Sequence, residues 1–367
     1  VHGTPVVLLQ GGVEAVGGRH GNMKVAAVAG DTFGPMQKSL LAITLSCTTT
    51  LLHAQDQQAY RDLVDRAWQL YEAGDHAGSA SAYSQAFEAL GWKGTANDRY
   101  NAACSYALAG VPDSAFFHLY RVAGKMDYAN VVHMTNDTDL GSLHGDARWQ
   151  PLVELVQANK DRLEANFDKP LVAQLDSIFE ADQALRREVE PMLSRYGNDS
   201  PEMQDLWRRI AAKDSANLAA VSRILDERGW LGADVIGGRG NMTLFLVVQH
   251  ADLATQEKYL PLMREAVRDG RAQGSSLALL EDRVALRQGR RQTYGSQIGT
   301  DPADGSSRVL PLDDPLRVDE RRATVGLGPL ADYARRMNVD WDPVKYAEGL
   351  PALEQRLKEA EAAQDHE

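Results

Sequence analysis

A small set of polar residues in the last third of the chain has the types that acid–base chemistry or ligand capture would need. His250 is the only histidine between residues 145 and 365, and it sits in Gln249-His250-Ala251-Asp252. Histidine titrates near neutral pH, so it can act as general base or acid once a carboxylate orients it, and Asp252 or Asp282 is placed to do so. Arg283 could hold a carboxylate or phosphate through two parallel hydrogen bonds. Tyr294, Gln292 and Gln297 could direct donors at a substrate carbonyl. The catalytic candidates are therefore His250, Asp252, Asp282 and Tyr294, and the ligand-binding candidates are Gln249, Arg283, Gln292 and Gln297. Together they suit hydrolysis or transfer on a small anionic or amide-bearing ligand. The same groups would equally serve as a network that fixes a helix against a hairpin.

Other chemistries find less support. No Cys–His spacing matches a zinc motif and no second histidine lies near His250, so neither a metal site nor a cofactor is expected. Gly237-Gly238-Arg239-Gly240 precedes an apolar segment and could cradle an anion. Its spacing fits neither a phosphate loop nor a dinucleotide fingerprint, and it reads as a tight turn. No Gly-x-Ser-x-Gly nucleophile elbow occurs in the chain.

The elements that must position these residues follow from periodicity. Leu244 to Val248 are apolar on every side and predict the central buried element of a domain, which makes Gln249 and His250 emerge from the core. Ser275 is placed to cap a helix in which Leu277, Leu280 and Val284 face inward. Gln292 to Ile298 alternate like a strand, with Gln292 and Tyr294 on one face and Gly295 as a bulge position. Thr300 to Gly305 form a turn, and Arg308 to Leu312 pair back as a hairpin. A helix then runs to about Val325, and Pro329 opens another.

Upstream, residues 156–200 read as a connector helix, with Leu163, Phe167, Leu171, Leu175, Ile178 and Phe179 on one side. Glu180, Asp182, Arg186, Arg187 and Glu188 supply its solvated face. Ser200 is the expected N-cap ahead of Pro201. Residues 60–122 carry paired amphipathic stripes, Leu63/Ala67/Leu70/Tyr71 with Ala80/Tyr83/Ala86/Phe87, then Tyr100/Ala103/Tyr106/Ala107 with Ala115/Leu119/Val122. Gly74 and Gly110 break the pairs at nearly the 34-residue tetratricopeptide period. Trp68, Trp149 and Cys104 read as core or capping residues, and His118, His133 and His144 have no metal-ligand spacing.

Tyr100 to Gly110 and the tail Asp137 to His144 with Arg148-Trp149 make this region resemble tetratricopeptide repeats of exported bacterial proteins. The resemblance implies a concave surface for a peptide or protein partner, or a plain scaffold. Gln249-His250-Ala251-Asp252, Asp282-Arg283-Val284, Gln292 to Gln297, and Val318 to Arg322 with Val325-Gly326-Leu327 resemble the signature order of an uncharacterised bacterial family, a domain of unknown function that sometimes follows such repeats. That likeness covers about residues 165–345, with Ser296 where Thr is commoner. It implies a domain boundary and no activity.

The beginning of the chain has its own pattern. Met36-Gln37-Lys38 is a short basic start, Leu40 to Leu52 an apolar and hydroxyl stretch, and Leu52-His53-Ala54 a small-residue cleavage site ahead of polar residues. That order is a secretory signal peptide over 36–54, with 1–35 a non-native extension, and export to the periplasm or medium is expected. Cleavage after Ala54 leaves Cys104 as the sole cysteine, so packing alone must stabilise the fold. The net charge of −12 disfavours nucleic acid as partner, and no stretch after the signal segment is long and apolar enough to span a bilayer. The expected fold is mostly α: tetratricopeptide-like helical hairpins over 58–155, connector 156–200, a helical polar-cluster domain with a small β-hairpin over 201–348, and a C-terminal helix or tail over 349–367.

Overall fold

The computed structural model of the chain describes residues 39–364, with side chains from 56 to 363. The expected extension 1–35, and the side chains of the expected signal segment 36–54, lie outside the described residues. Among the described residues there are fifteen α-helices and a single two-stranded sheet, so the fold is mostly α with a small β-hairpin. No described helix is long and apolar enough to cross a membrane. The chain divides into two compact units, one ending at Ala165 and the other beginning at Asn166.

In the first unit, helices α1 (Ser39–Glu72) and α2 (His76–Ala89) form one hairpin, and α3 (Ala96–Leu108) and α4 (Pro112–Lys125) another. Gly74, at φ 79°, takes the left-handed conformation that closes α1, and its neighbour Asp75 caps α2 by accepting from Gly78 N at 2.8 Å. Gly110 ends the second turn in the same way, at φ 74°, and Pro112 opens α4. Alanines 67, 82, 86, 102, 103, 107 and 115 are buried between the helices and let them approach closely, while Tyr83, Phe87, Phe116 and Leu119 fill the remaining space. Short α5 (Val131–Asn136) and α6 (Trp149–Leu163) close this unit, burying Trp149, Leu152 and Val156.

The second unit is organised around one helix. Residues α7 (Lys169–Arg186), α8 (Val189–Tyr196), α9 (Pro201–Arg228), α10 (Ala233–His250), α11 (Leu253–Arg268) and α12 (Gly274–Arg287) follow in order. Leu244, Phe245, Leu246, Val247 and Val248 of α10 are all buried, as their uninterrupted apolar run requires. Around them pack Leu171, Leu175 and Ile178 of α7, Val221 and Leu225 of α9, Met263 of α11, and Leu280 and Val284 of α12. Each such side chain contributes roughly 1.5–3 kcal/mol when fully buried. Strands β1 (Ile298–Thr300) and β2 (Ser307–Val309) pair antiparallel, with Ile298 opposite Val309. They join α13 (Val318–Thr324), α14 (Leu330–Arg336) and Val339 in a second apolar cluster, and α15 (Pro343–Gln364) follows.

Several local expectations change. Residues 156–200 are not one connector: 156–163 complete α6, and α7 is part of the second unit's core. Leu171, Leu175 and Ile178 of α7 belong to that unit's apolar cluster, and Leu163 is exposed. Ser200 does cap α9, accepting from Met203 N at 3.2 Å, but α12 starts at Gly274 behind Gln273, and Ser275 makes no cap. The glycine run lies within α10, where Gly237 alone departs from helical geometry at φ 68°. A Cβ at Gly240 would stand 3.1 Å from Leu175 and from Ile236, tighter than an ordinary contact. Gly240 therefore favours close packing of α7 against α10, and the run is part of a helix and not a free-standing loop. Trp68, expected in the core, is 47% exposed.

Candidate functional site

The residues singled out from sequence separate into two structures. The first is a clamp on the loop between α12 and β1. Residues 293–297 form no strand, because their amides are taken elsewhere. Asp282 is fully buried and accepts from the backbone N–H of Thr293 (2.7 Å), Tyr294 (3.0 Å) and Ser296 (2.9 Å). Burial pushes its carboxyl above the ordinary range, and those three N–H groups pull it back. Gly295, at φ 68°, turns the chain between these amides and abuts Leu330. The loop carbonyls are held with equal completeness. Arg321 donates to Thr293 O (2.9 Å), Arg322 to Tyr294 O (2.7 Å), and Tyr333 to Ser296 O (2.9 Å).

Gln292 spans the loop as a surrogate backbone. Its Nε2 donates to Gln297 O (3.0 Å) and Leu310 O (2.8 Å), and its Oε1 accepts from Gln297 N (2.8 Å). Gln297 Oε1 accepts from Arg283 Nε at 3.0 Å, and Arg283 Nη1 donates onward to Gln249 O at 2.9 Å. Asp282, Arg283, Gln292 and Gln297 thus spend their polar groups on the protein itself, as buried backbone requires. Tyr294 and Gln292 do not share a strand face: Gln292 is buried, whereas Tyr294 is partly exposed and its hydroxyl has no hydrogen-bond partner among the described residues. Gln249 is buried, with Nε2 3.4 Å from Leu279 O.

His250 belongs to the second structure. Its orienting carboxylate is neither Asp252 nor Asp282. Asp252 is exposed and caps α11, accepting from Thr255 N at 2.8 Å. His250 Nδ1 instead lies 3.0 Å from Asp182 Oδ1 on α7. Asp182 and Arg186, expected on a solvated face, have only 2% and 10% of their side chains exposed. Arg186 bridges two acids, its Nη1 on Asp182 Oδ1 at 3.1 Å and its Nη2 on Asp214 Oδ2 at 2.8 Å. Burial holds the His250 imidazole below its usual range despite Asp182, whereas the bond from His250 and the charge of Arg186 overcome burial to keep the Asp182 carboxyl low. The resting pair is then a neutral imidazole donating Nδ1–H to a carboxylate.

Asp182, Asp214 and His250 line a cleft of about 280 Å³ where α7, α9 and the end of α10 meet, together with Asn217 and Asp252. One oxygen each of Asp182 and Asp214 and a ring nitrogen of His250 lie within 4.8 Å of one another, which is ligand-atom proximity for a metal ion. Asp214 and Asn217 sit one helical turn apart on α9, and Asp182 and Arg186 one turn apart on α7. No sequence motif announces such a site, because its members are separated by 32 and 36 residues and meet only through helix packing. Asp182 stands four residues after Ile178 and three before Leu185, on the same helical stripe, but that spacing alone does not say what covers it.

The first unit has a similar trio, Cys104, Asp137 and Asp139. Its acceptors are already engaged: Tyr100 Oη donates to Asp137 Oδ2 at 3.0 Å and Tyr71 Oη to Asp139 Oδ2 at 2.6 Å. Burial and these two acids push the Cys104 thiol up, which disfavours its thiolate form. The same unit carries an open cleft of about 360 Å³, lined by Val64, Asp65, Trp68 and Gln69 of α1, Tyr83 of α2 and Asn101 of α3. Trp68 stacks on Tyr71 with ring centroids 5.4 Å apart and presents the rest of its indole outward.

Residues 170–345 match a family described as a family of unknown function, DUF6624. The match runs from α7 to the start of α15 and takes in Asp182, Asp214 and His250 as well as the loop clamp. No curated protein and no solved structure matches the chain.

Proposed function

We propose that this chain is an exported protein whose first unit, a short tetratricopeptide-like array, binds a peptide or protein partner. The observation that carries the reading is the cleft across α1, α2 and α3, with a half-exposed tryptophan on its wall and the amides of Gln69 and Asn101 beside it. An aromatic side chain held rigid by stacking, flanked by amide groups, suits an extended peptide: the indole covers apolar side chains and the amides pair with backbone. Asp65 on the same wall favours a peptide without acidic residues at that point.

Selection from a displayed peptide library with the full chain tests it. Enriched peptides should lose about tenfold or more in affinity with Trp68→Ala, about 1.4 kcal/mol, while helical content stays unchanged. A library that yields no enriched sequence, or peptides indifferent to Trp68→Ala, would sink the reading. Export rests on the order of basic, apolar and small-residue segments over 36–54. Expressed with these residues in a bacterium, the chain should be recovered outside the cytoplasm with Gln55 as its first residue by mass spectrometry. Recovery in the cytoplasm with residues 36–54 intact would exclude export by this segment.

A second reading, hydrolysis or transfer on a small molecule around His250, is favoured by the Asp182–His250 pair on the wall of an open cleft. It no longer includes Arg283, Gln292 or Gln297, whose polar groups are turned into the loop clamp. The three acids in the cleft, Asp182, Asp214 and Asp252, also argue against the anionic ligand that those residues suggested.

A further inference from the structure

The cleft in the second unit contains polar groups that the protein leaves unanswered. Asp214 Oδ1 is buried and accepts no hydrogen bond. Asn217, only 5% exposed, has an Nδ2 with no acceptor, and it lines the same cleft. Buried groups without partners cost about 1–3 kcal/mol each, so a pair of them at one cleft points to something that completes them. Two carboxylates there face a single guanidinium, that of Arg186.

We propose that Asp182, Asp214 and His250 hold one divalent metal ion, with zinc the best match to a set of one imidazole and two carboxylates. Three helices deliver the ligands, so the geometry is fixed before the ion arrives. The 3.0 Å between His250 Nδ1 and Asp182 Oδ1 is close to the roughly 3.3 Å between neighbouring ligands of a tetrahedral ion with bonds of about 2.0 Å; the ion takes the place of the Nδ1 proton, and the neutral imidazole then carries its one hydrogen on Nε2. Asp214 Oδ1 supplies the free oxygen. Arg186 holds the other oxygen of Asp214 and steadies Asp182, the part that outer-shell donors play around bound metals. Three protein ligands leave a coordination position for water, and that water is the acceptor Asn217 Nδ2 lacks. The Cys104 trio does not compete, since tyrosine hydroxyls already occupy its carboxylates.

The proposal concerns the cleft that the second reading also uses, but it requires no turnover and is independent of peptide binding by the first unit. Its test is calorimetric titration of zinc into the full chain after stripping with EDTA and dialysis. One ion per chain is expected, together with a rise in melting temperature on zinc addition. Asp214→Asn should weaken binding by at least about tenfold, since it removes the free carboxylate oxygen's charge. That variant keeps an oxygen for Arg186, and circular dichroism at the titration temperature establishes that it is folded. Cys104→Ser should leave the affinity unchanged. Wild-type protein that takes up no stoichiometric zinc would overturn the proposal. So would uptake that Asp214→Asn does not alter, or that Cys104→Ser abolishes.

Discussion

Replacement of Asp282 by alanine is expected to destabilise the second unit by about 4 kcal/mol, a large effect for one side chain. The carboxylate is the only acceptor for three amides of a loop that forms no strand. Removing it leaves those N–H groups buried and unpaired at about 1–3 kcal/mol each, partly offset because a buried charge disappears with it. For a unit of this size the melting temperature should fall by roughly 8–16 °C. Ser296→Ala is the milder comparison: it removes a hydroxyl that accepts from Gln297 Nε2 and lies beside the Asp282 carboxylate, while the amide of residue 296 still reaches Asp282. Its cost should stay near 1 kcal/mol. A catalytic Asp282 would behave oppositely, its removal leaving stability equal or higher. A loss below 1 kcal/mol for Asp282→Ala would therefore refute the clamp.

The second large effect is an acid sensitivity of the first unit, centred on His118. This ring is 2% exposed and lies among Phe87, Tyr106 and Phe117. Its Nδ1 faces Arg99 Nη1 at 3.4 Å, so it accepts there and carries no proton on that atom. Burial, then Arg99 and Arg121, bring its pKa down to about 4 from an ordinary value of 6.5. Between these values the unfolded chain binds the proton and the folded one does not. Stability attributable to His118 is thus complete above pH 6.5 and falls as pH drops towards 4. The full shift of about 2.5 units corresponds to roughly 3 kcal/mol. Denaturant melts at pH 7 and pH 4.5 should show this loss in the wild type, and His118→Gln, which keeps an acceptor for Arg99, should lack most of it. Equal pH dependence in the two proteins would refute the assignment.

What could be read from the sequence, and what could not, divides along one physical line. Features fixed by neighbours in the chain were legible: the helix breaks at Gly74 and Gly110, the Ser200 cap, the buried run Leu244–Val248 and the β-hairpin all rest on local periodicity or turn chemistry. The matched span 170–345 lies within five residues of the bounds that the polar motifs suggested. Features made by packing between distant helices were not. Asp182 and Arg186 looked like solvent-facing residues because charge at a helix surface usually is. Nothing in their neighbourhood reveals that the end of α10 covers them. Of the eight residues grouped from their motifs, Asp282, Arg283, Gln292 and Gln297 meet at the loop, but residue type alone cannot distinguish side chains that grip a loop from side chains that grip a ligand. Trp68 shows the reverse, an apolar residue read as core or capping that helix geometry leaves 47% exposed.

The end of α10 carries a consequence for how the protein is made. Its last carbonyls are satisfied by residues that come later in the chain: Gln249 O by Gln256 and Arg283, and Ala251 O by Arg287. Arg283 is in turn braced by Gln297. During synthesis α7, α9 and α10 emerge with their cleft residues in place, yet the terminus bearing His250 stays free to fray until about residue 297 has left the ribosome. Assembly of the cleft is therefore expected to wait on the loop clamp, and a nascent chain stalled before it would present Asp182, Asp214 and His250 without the order that brings them together.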